Sequence, residues 1–138
     1  MTELCTVPKY FLKMINMGYV PSISTMDNAE ALIKRVNHFI ADLFRKGILP
    51  LNYHIHVSSG WRSESYNLRI GGARFSNHVT GHAIDIRGSE IILACEKDPA
   101  LLEAFGLYAE ASTDTKGGGG WTHLQDLPPK SGKRIFRA

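Results

Sequence analysis

The stretch Ser76–Ile86, SNHVTGHAIDI, constrains this chain more than any other segment. It sets Asp85 between Ile84 and Ile86 in a run that otherwise reads as an apolar strand, with His78 and His82 just upstream. A buried carboxylate without a partner costs several kcal/mol or is driven to neutralise. A fold that uses residues 82–87 as a strand must therefore bring to Asp85 an Arg or Lys, a set of backbone amides or a metal ion. In such a strand Ala83 and Asp85 share one face, while His82, Ile84 and Ile86 share the other. His82 then points away from Asp85, whereas His78 lies across the Thr80–Gly81 turn and can fold back beside it.

The rest of the chain reads as an α+β fold, a small, mostly antiparallel sheet packed against helices. A helix is expected from the Ser24–Thr25 cap, with Asp27 in its first turn and Gly47 closing it. Leu32, Val36, Phe39, Ile40 and Leu43 recur along it at helical spacing and give it a core-facing stripe. Residues 53–59 alternate as a strand, with His54 and His56 on one face. Ser63 caps a short helix that Gly71–Gly72 stops, and Ser89 starts another that Pro99 breaks. Residues 106–110 and 121–125 read as closing strands joined by the loop ASTDTKGGGG, and the tail LPPKSGKRIFRA carries one apolar hook, Ile135–Phe136. With no internal repeat and no linker, residues 1–138 read as a single domain.

Charge and cysteine usage narrow the function classes. Sixteen basic and thirteen acidic residues leave a net charge of +3, too mild an excess to argue for nucleic acid, and no basic stripe is interleaved with aromatics. No stretch approaches the roughly 20 apolar residues of a membrane span. The N-terminus has no basic region followed by a long apolar run, so cytoplasmic synthesis without a signal peptide is expected, as a monomer. Cys5 and Cys95 form no CxxC pair and read as buried thiols rather than a disulfide scaffold.

A metal site needs a third ligand besides His78 and Asp85. His123, in GWTHLQ, is the natural candidate, because alternation turns it away from Thr122 and Leu124. Two imidazoles and one carboxylate give a Zn²⁺ site an open fourth position for water, the pattern of a catalytic zinc. Satisfied core histidines and a salt-bridged aspartate are the competing account of the same residues. His54 and His56 form a rival HxH pair with no third ligand at short range.

SNHVTGHAID matches the SxHxxGxAxD motif of the zinc D-alanyl-D-alanine carboxypeptidase family at every fixed position. Upstream, VSSGWRS resembles that family's SGYRS segment and is followed by a similar YN and GG. Downstream, WTHLQ resembles its WxH segment, and LPPKSGKRIF is similar to the ending of phage-encoded members. The resemblance runs in order over residues 57–137, whereas residues 1–50 carry no motif of the family. The family includes D,D-dipeptidases and phage L-alanyl-D-glutamate endopeptidases and shares its fold with hedgehog domains.

The resemblance implies one Zn²⁺ per chain, held by His78, Asp85 and His123, and activity on the stem peptides of bacterial peptidoglycan in phage lysis or on a virion. It implies that Ser76 hydrogen-bonds the substrate and that Arg62 stabilises the oxyanion formed at the peptide carbonyl. Many members carry an acid two or three residues before the last histidine, where this chain has Trp121 and Gly120. Phage-type members with a similar tail carry an acid in a segment like FGLYAEAS before their WxH, so the resemblance implies Glu110 as the general base, with Asp114 as the alternative. That departure keeps a second expectation open, a zinc-containing wall-binding module without catalysis. The Gly117–Gly120 run reads as a loop tip, or as bare backbone that lets a peptide approach.

Overall fold

The computed structural model describes residues 5–115 and 120–138. Helix α1, Val7–Asn16, opens the chain. Thr6 caps it by accepting from the Lys9 amide, and Pro8 stands in its first turn, where a missing N–H costs nothing. The long helix α2 spans Ile23–Arg45, with Ser22 as its cap, two residues earlier than the sequence suggested. Its stripe of Leu32, Val36, Phe39, Ile40 and Leu43 has no solvent exposure and forms the middle of the core. Each such side chain contributes about 1.5–3 kcal/mol of burial. Gly47, at φ 71°, lets the chain leave the helix by returning the Ile48 amide to the Leu43 carbonyl. Asp42 is buried rather than on an outer polar face, held by Arg45 and Lys46.

The sheet is built from β1 (Val57–Ser59), β2 (Ala83–Arg87), β3 (Tyr108–Glu110), β4 (Trp121–Gln125) and β5 (Ile135–Phe136), in the order β1-β2-β4-β3-β5. Helices α3 (Glu64–Arg69), α4 (Glu90–Lys97) and α5 (Ala100–Glu103) fill the connections. The architecture is α+β, but the sheet is mixed where a mostly antiparallel one was expected. β1, β2, β4 and β3 pair antiparallel, and β5 then joins β3 in parallel. The Ile135–Phe136 hook causes the difference: the Ala109 amide donates to the Arg134 carbonyl and the Ala111 amide to the Phe136 carbonyl. The expected strand over 53–59 keeps only its last three residues, because the Tyr53 amide turns back to Pro50 and the Tyr53 hydroxyl donates to Glu90.

α1 is fastened to the loop that follows β1. The Trp61 amide donates to the Tyr10 carbonyl at 3.1 Å, and the Tyr10 hydroxyl donates to the Ala83 carbonyl at 2.6 Å. The rings of Tyr10, Phe11 and Trp61 stack edge-on or tilted through this junction. Gly60 lies so close that a Cβ there would overlap the Tyr10 carbonyl oxygen. Gly60→Ala should therefore destabilise the fold by about 1–3 kcal/mol through overpacking against backbone, measured as a lower urea midpoint at an unchanged slope. An unaltered midpoint would show that α1 can move away freely.

Candidate metal centre

Strand register brings two of the expected ligands together. Asp85 in β2 pairs directly with His123 in β4, so both side chains leave the same face of the sheet. His78 arrives from the Ser76–Gly81 turn, which is tied back onto the Gly60–Arg62 segment. The Arg62 amide donates to the His78 carbonyl at 3.2 Å, and the Trp61 indole donates to the Val79 carbonyl at 3.0 Å. One ligand atom each from His78, Asp85 and His123 lies within 4.8 Å of the others, the one such group of three or more among the described residues. His78 Nε2 is 3.3 Å from Asp85 Oδ2, and His123 Nδ1 is 2.9 Å from Asp85 Oδ1. The group lies in a cleft of about 540 Å³ that Arg62, Ser76 and Glu110 also line.

The outer hydrogen bonds fix which nitrogen each histidine presents. His78 Nδ1 lies 2.7 Å from the Gly60 carbonyl, which can only accept, so Nδ1 carries the proton and Nε2 faces Asp85 with a lone pair. The Gln125 amide nitrogen donates to the Leu127 carbonyl at 2.7 Å, which turns Gln125 Oε1 toward His123 Nε2 at 2.8 Å. His123 Nε2 must then donate, leaving Nδ1 directed at the carboxylate. Two imidazole lone pairs and a carboxylate cannot sit together without a cation among them. Protons on both rings or one metal ion satisfy the group, so the donor set fits a divalent ion of the kind that histidine and carboxylate hold.

Without an ion, the carboxylate and the histidines act on one another directly. Burial would raise the Asp85 carboxyl, but the charges of His78 and His123 and their hydrogen bonds outweigh it and hold the group well below the usual carboxylate range. For His123, burial works downward, yet the hydrogen bond and charge of Asp85, helped by Gln125 and Glu110, raise it above its ordinary value.

Arg62 is anchored on three sides. Its Nε donates to Ser59 Oγ at 3.1 Å, one terminal nitrogen to Asn67 Oδ1 at 3.2 Å and the other to Asp85 Oδ2 at 3.5 Å. A guanidinium has five N–H groups, so donors remain to face the cleft. Asn67 is itself buried and donates to the Ala73 carbonyl at 2.7 Å. Ser76 Oγ accepts the His78 amide at 3.2 Å at the cleft wall.

Glu110 ends β3, one residue past Ala109, which pairs with Leu124. Burial raises its carboxyl, the charges of Asp85 and Asp114 add to this, and His123 opposes them. Asp114 does not line the cleft; it accepts from the Ala138 amide at 2.8 Å and Arg137 Nε at 3.3 Å. His82 lies outside the group, bonded to Asp126 at 2.9 Å. His54 and His56 are exposed and join no group of ligating side chains among the described residues. Of the glycine run, residues 117–119 lie outside the described residues, and Gly120 takes φ 83°.

Sequence reasoning missed Gln125, Asn67, Ser59 and the Gly60 carbonyl. For Gln125 a signal was present: in WTHLQ it stands two residues from His123, hence on the same strand face, and a buried amide there needs a partner.

An α+β fold that carries a His–Asp–His group in an open cleft defines a protein equipped to hold one metal ion where a substrate can reach it. A family model described as Peptidase M15 matches residues 23–105, more than half of the chain, and the chain belongs to that family. The match includes His78 and Asp85 and ends before Glu110 and His123. Comparisons with curated proteins and with solved structures returned no match.

Two measurements check this centre. Metal-free, Asp85 contributes stability present above about pH 4 and lost as pH falls through its lowered folded value, and His123 contributes stability present below about pH 6.5 and lost as pH rises through its raised one. The Tm difference between wild type and Asp85→Asn should thus be largest between about pH 4 and 6.5 and shrink on either side. Gln125→Leu removes the acceptor that orients His123 and should weaken metal affinity about 10–100-fold in a chelator competition, with the fold intact by circular dichroism.

Proposed function

We propose that the chain is a zinc-dependent peptidase that hydrolyses short peptides of bacterial peptidoglycan, of the D,D-carboxypeptidase or L-alanyl-D-glutamate endopeptidase type. The observation that carries this reading is the His78–Asp85–His123 group in a cleft that also holds a half-buried carboxylate, Glu110, and an anchored guanidinium, Arg62. The peptidoglycan assignment and a role in phage lysis are supported by the resemblance of residues 57–137, including the ending LPPKSGKRIF. Residues 1–138 would act as one domain.

His78, Asp85 and His123 would hold the zinc, which supplies Lewis-acid polarisation of the scissile carbonyl and acidification of water. Glu110 takes the proton from the attacking water as oxygen adds to the carbonyl carbon, then returns it to the departing amine as the C–N bond breaks. Arg62 faces the developing oxyanion with its uncommitted N–H groups, in a position fixed by Ser59 and Asn67. Ser76 orients the substrate backbone beside His78. Asp114 is a poor base by comparison, because the Ala138 amide and Arg137 hold its carboxyl below the usual range.

One observation favours a second reading, a zinc-containing binding module without turnover: Gly120 and Trp121 stand where relatives carry an acid. Digestion of purified peptidoglycan followed by mass spectrometry of the fragments separates the two. An enzyme releases new amine and carboxyl ends, stops with chelator and recovers with added zinc, whereas a binding module releases none with full zinc. Glu110→Gln should lower kcat about 10²–10⁴-fold while keeping its zinc. Unchanged turnover in Glu110→Gln would remove it from the mechanism.

A further inference from the structure

A second recess adjoins the metal cleft and has no assigned role. It is lined by residues of α1 and of β1, the edge strand, which has a strand neighbour on one side only. Its inner part, about 270 Å³, is lined by Lys9, Lys13, Ser58, Gly60, Arg62 and Tyr66 among others. Its outer part, about 500 Å³, shares Lys9, Lys13 and Ser58 and adds His56 and Asn16. Arg62 lines both the inner part and the metal cleft, so recess and cleft adjoin at this side chain.

Three features give the recess a charge preference. Among the described residues no carboxylate lines either part of it, although the chain has thirteen acidic residues. Lys9 and Lys13 stand four apart on α1, hence on one helix face, and both are exposed. Neither forms an ion pair with a described residue, and Lys13 Nζ rests 5.1 Å from the centre of the Tyr66 ring, a contact that positions the ammonium without neutralising it. The walls are also fixed relative to the metal group. Trp61 N–H holds α1 through the Tyr10 carbonyl, and the neighbouring Gly60 carbonyl holds His78 Nδ1.

We propose that this recess is an extended substrate subsite, which takes an acidic peptide segment laid along the outer edge of β1. The carboxylates of that segment meet Lys9 and Lys13, and its neighbouring amide bond lies past Arg62 in the metal cleft. An edge strand is a ready template for an extended chain, and cations on the opposite wall select for carboxylates along it. The inference rests on the peptidase reading for the identity of the cleft, and it adds which chemistry the substrate carries beyond the scissile bond.

The test uses the full-length protein and a synthetic stem peptide containing D-glutamate with free carboxylates, beside the same peptide fully amidated. Amide shifts in ¹H–¹⁵N spectra should move in residues 9–16 and 57–62 with the acidic peptide, which should bind about tenfold tighter than its amidated form. Lys9→Gln/Lys13→Gln should abolish that preference, and Lys9→Arg/Lys13→Arg should restore it. Equal binding of both peptides, shifts confined to other residues, or an unaltered preference in the glutamine variant would overturn the subsite. So would equal perturbation by inorganic phosphate, which would mark a general anion site instead. Hydrolysis separates this inference from the one beneath it. If peptidoglycan is cleaved with the same KM by wild type and Lys9→Gln/Lys13→Gln, the subsite fails and the peptidase stands. If acid-selective binding is intact but nothing is cleaved, the subsite stands and the peptidase reading fails.

Discussion

The structure turns on a single buried carboxylate. Asp85 is 6% exposed, in the second strand of the sheet between two isoleucines with no exposure at all. Its two oxygens are divided between two histidines, one on each side, with Arg62 at longer range on Oδ2. Such a group is tolerated only where partners are held in place by something other than the group itself. Here each partner has its own anchor: a backbone carbonyl for His78, a fixed amide for His123, and a hydroxyl and an amide for Arg62. The site is thus preorganised around the charge rather than collapsed onto it.

That preorganisation depends on one tripeptide. Gly60 gives its carbonyl to His78, Trp61 takes the carbonyl of Tyr10 from α1 and reaches Val79 with its indole, and Arg62 gives its amide to His78 and its side chain to Asp85. The N-terminal helix, the turn that carries His78 and the sheet therefore meet in one place. Residue 60 must be glycine for steric reasons alone, since any Cβ there would collide with the helix backbone. Packing of α1 and geometry of the site are consequently not separable properties of this chain.

Much of this could be read before the fold was known, and the legible part has a common physical origin. Strand alternation separated His82 from Asp85 and turned His123 inward, because a period of two is a strictly local rule. The 3.6-residue stripe of α2 and the Ser63 cap are local in the same sense. What stayed hidden was non-local. α1 passed unnoticed despite its Thr6 cap and Pro8, because ten residues with one apolar side cannot show what they pack against. The parallel arrival of β5 depends on a return path that no spacing encodes. Gln125, Asn67 and Ser59 looked like ordinary polar residues, since their meaning lies in which donor they face.

Glu110 and Asp85 show how one cleft gives two carboxylates different chemistry. Both are withdrawn from water, which by itself would raise both. Asp85 is in direct contact with two histidines, whose charges and hydrogen bonds hold its carboxyl well below the usual carboxylate range. Glu110 has no ion pair among the described residues and feels His123 only as one opposing charge against burial and two like charges. Its proton is held more tightly than a surface glutamate's, which would suit the proton-shuttling role proposed for it. His123 bears on both outcomes: it is in contact with Asp85, whereas at Glu110, one strand further along the sheet, it acts only as an opposing charge. A short hydrogen-bonded register between β2 and β4, continued into β3, thus fixes both where the carboxylates stand and how differently they behave.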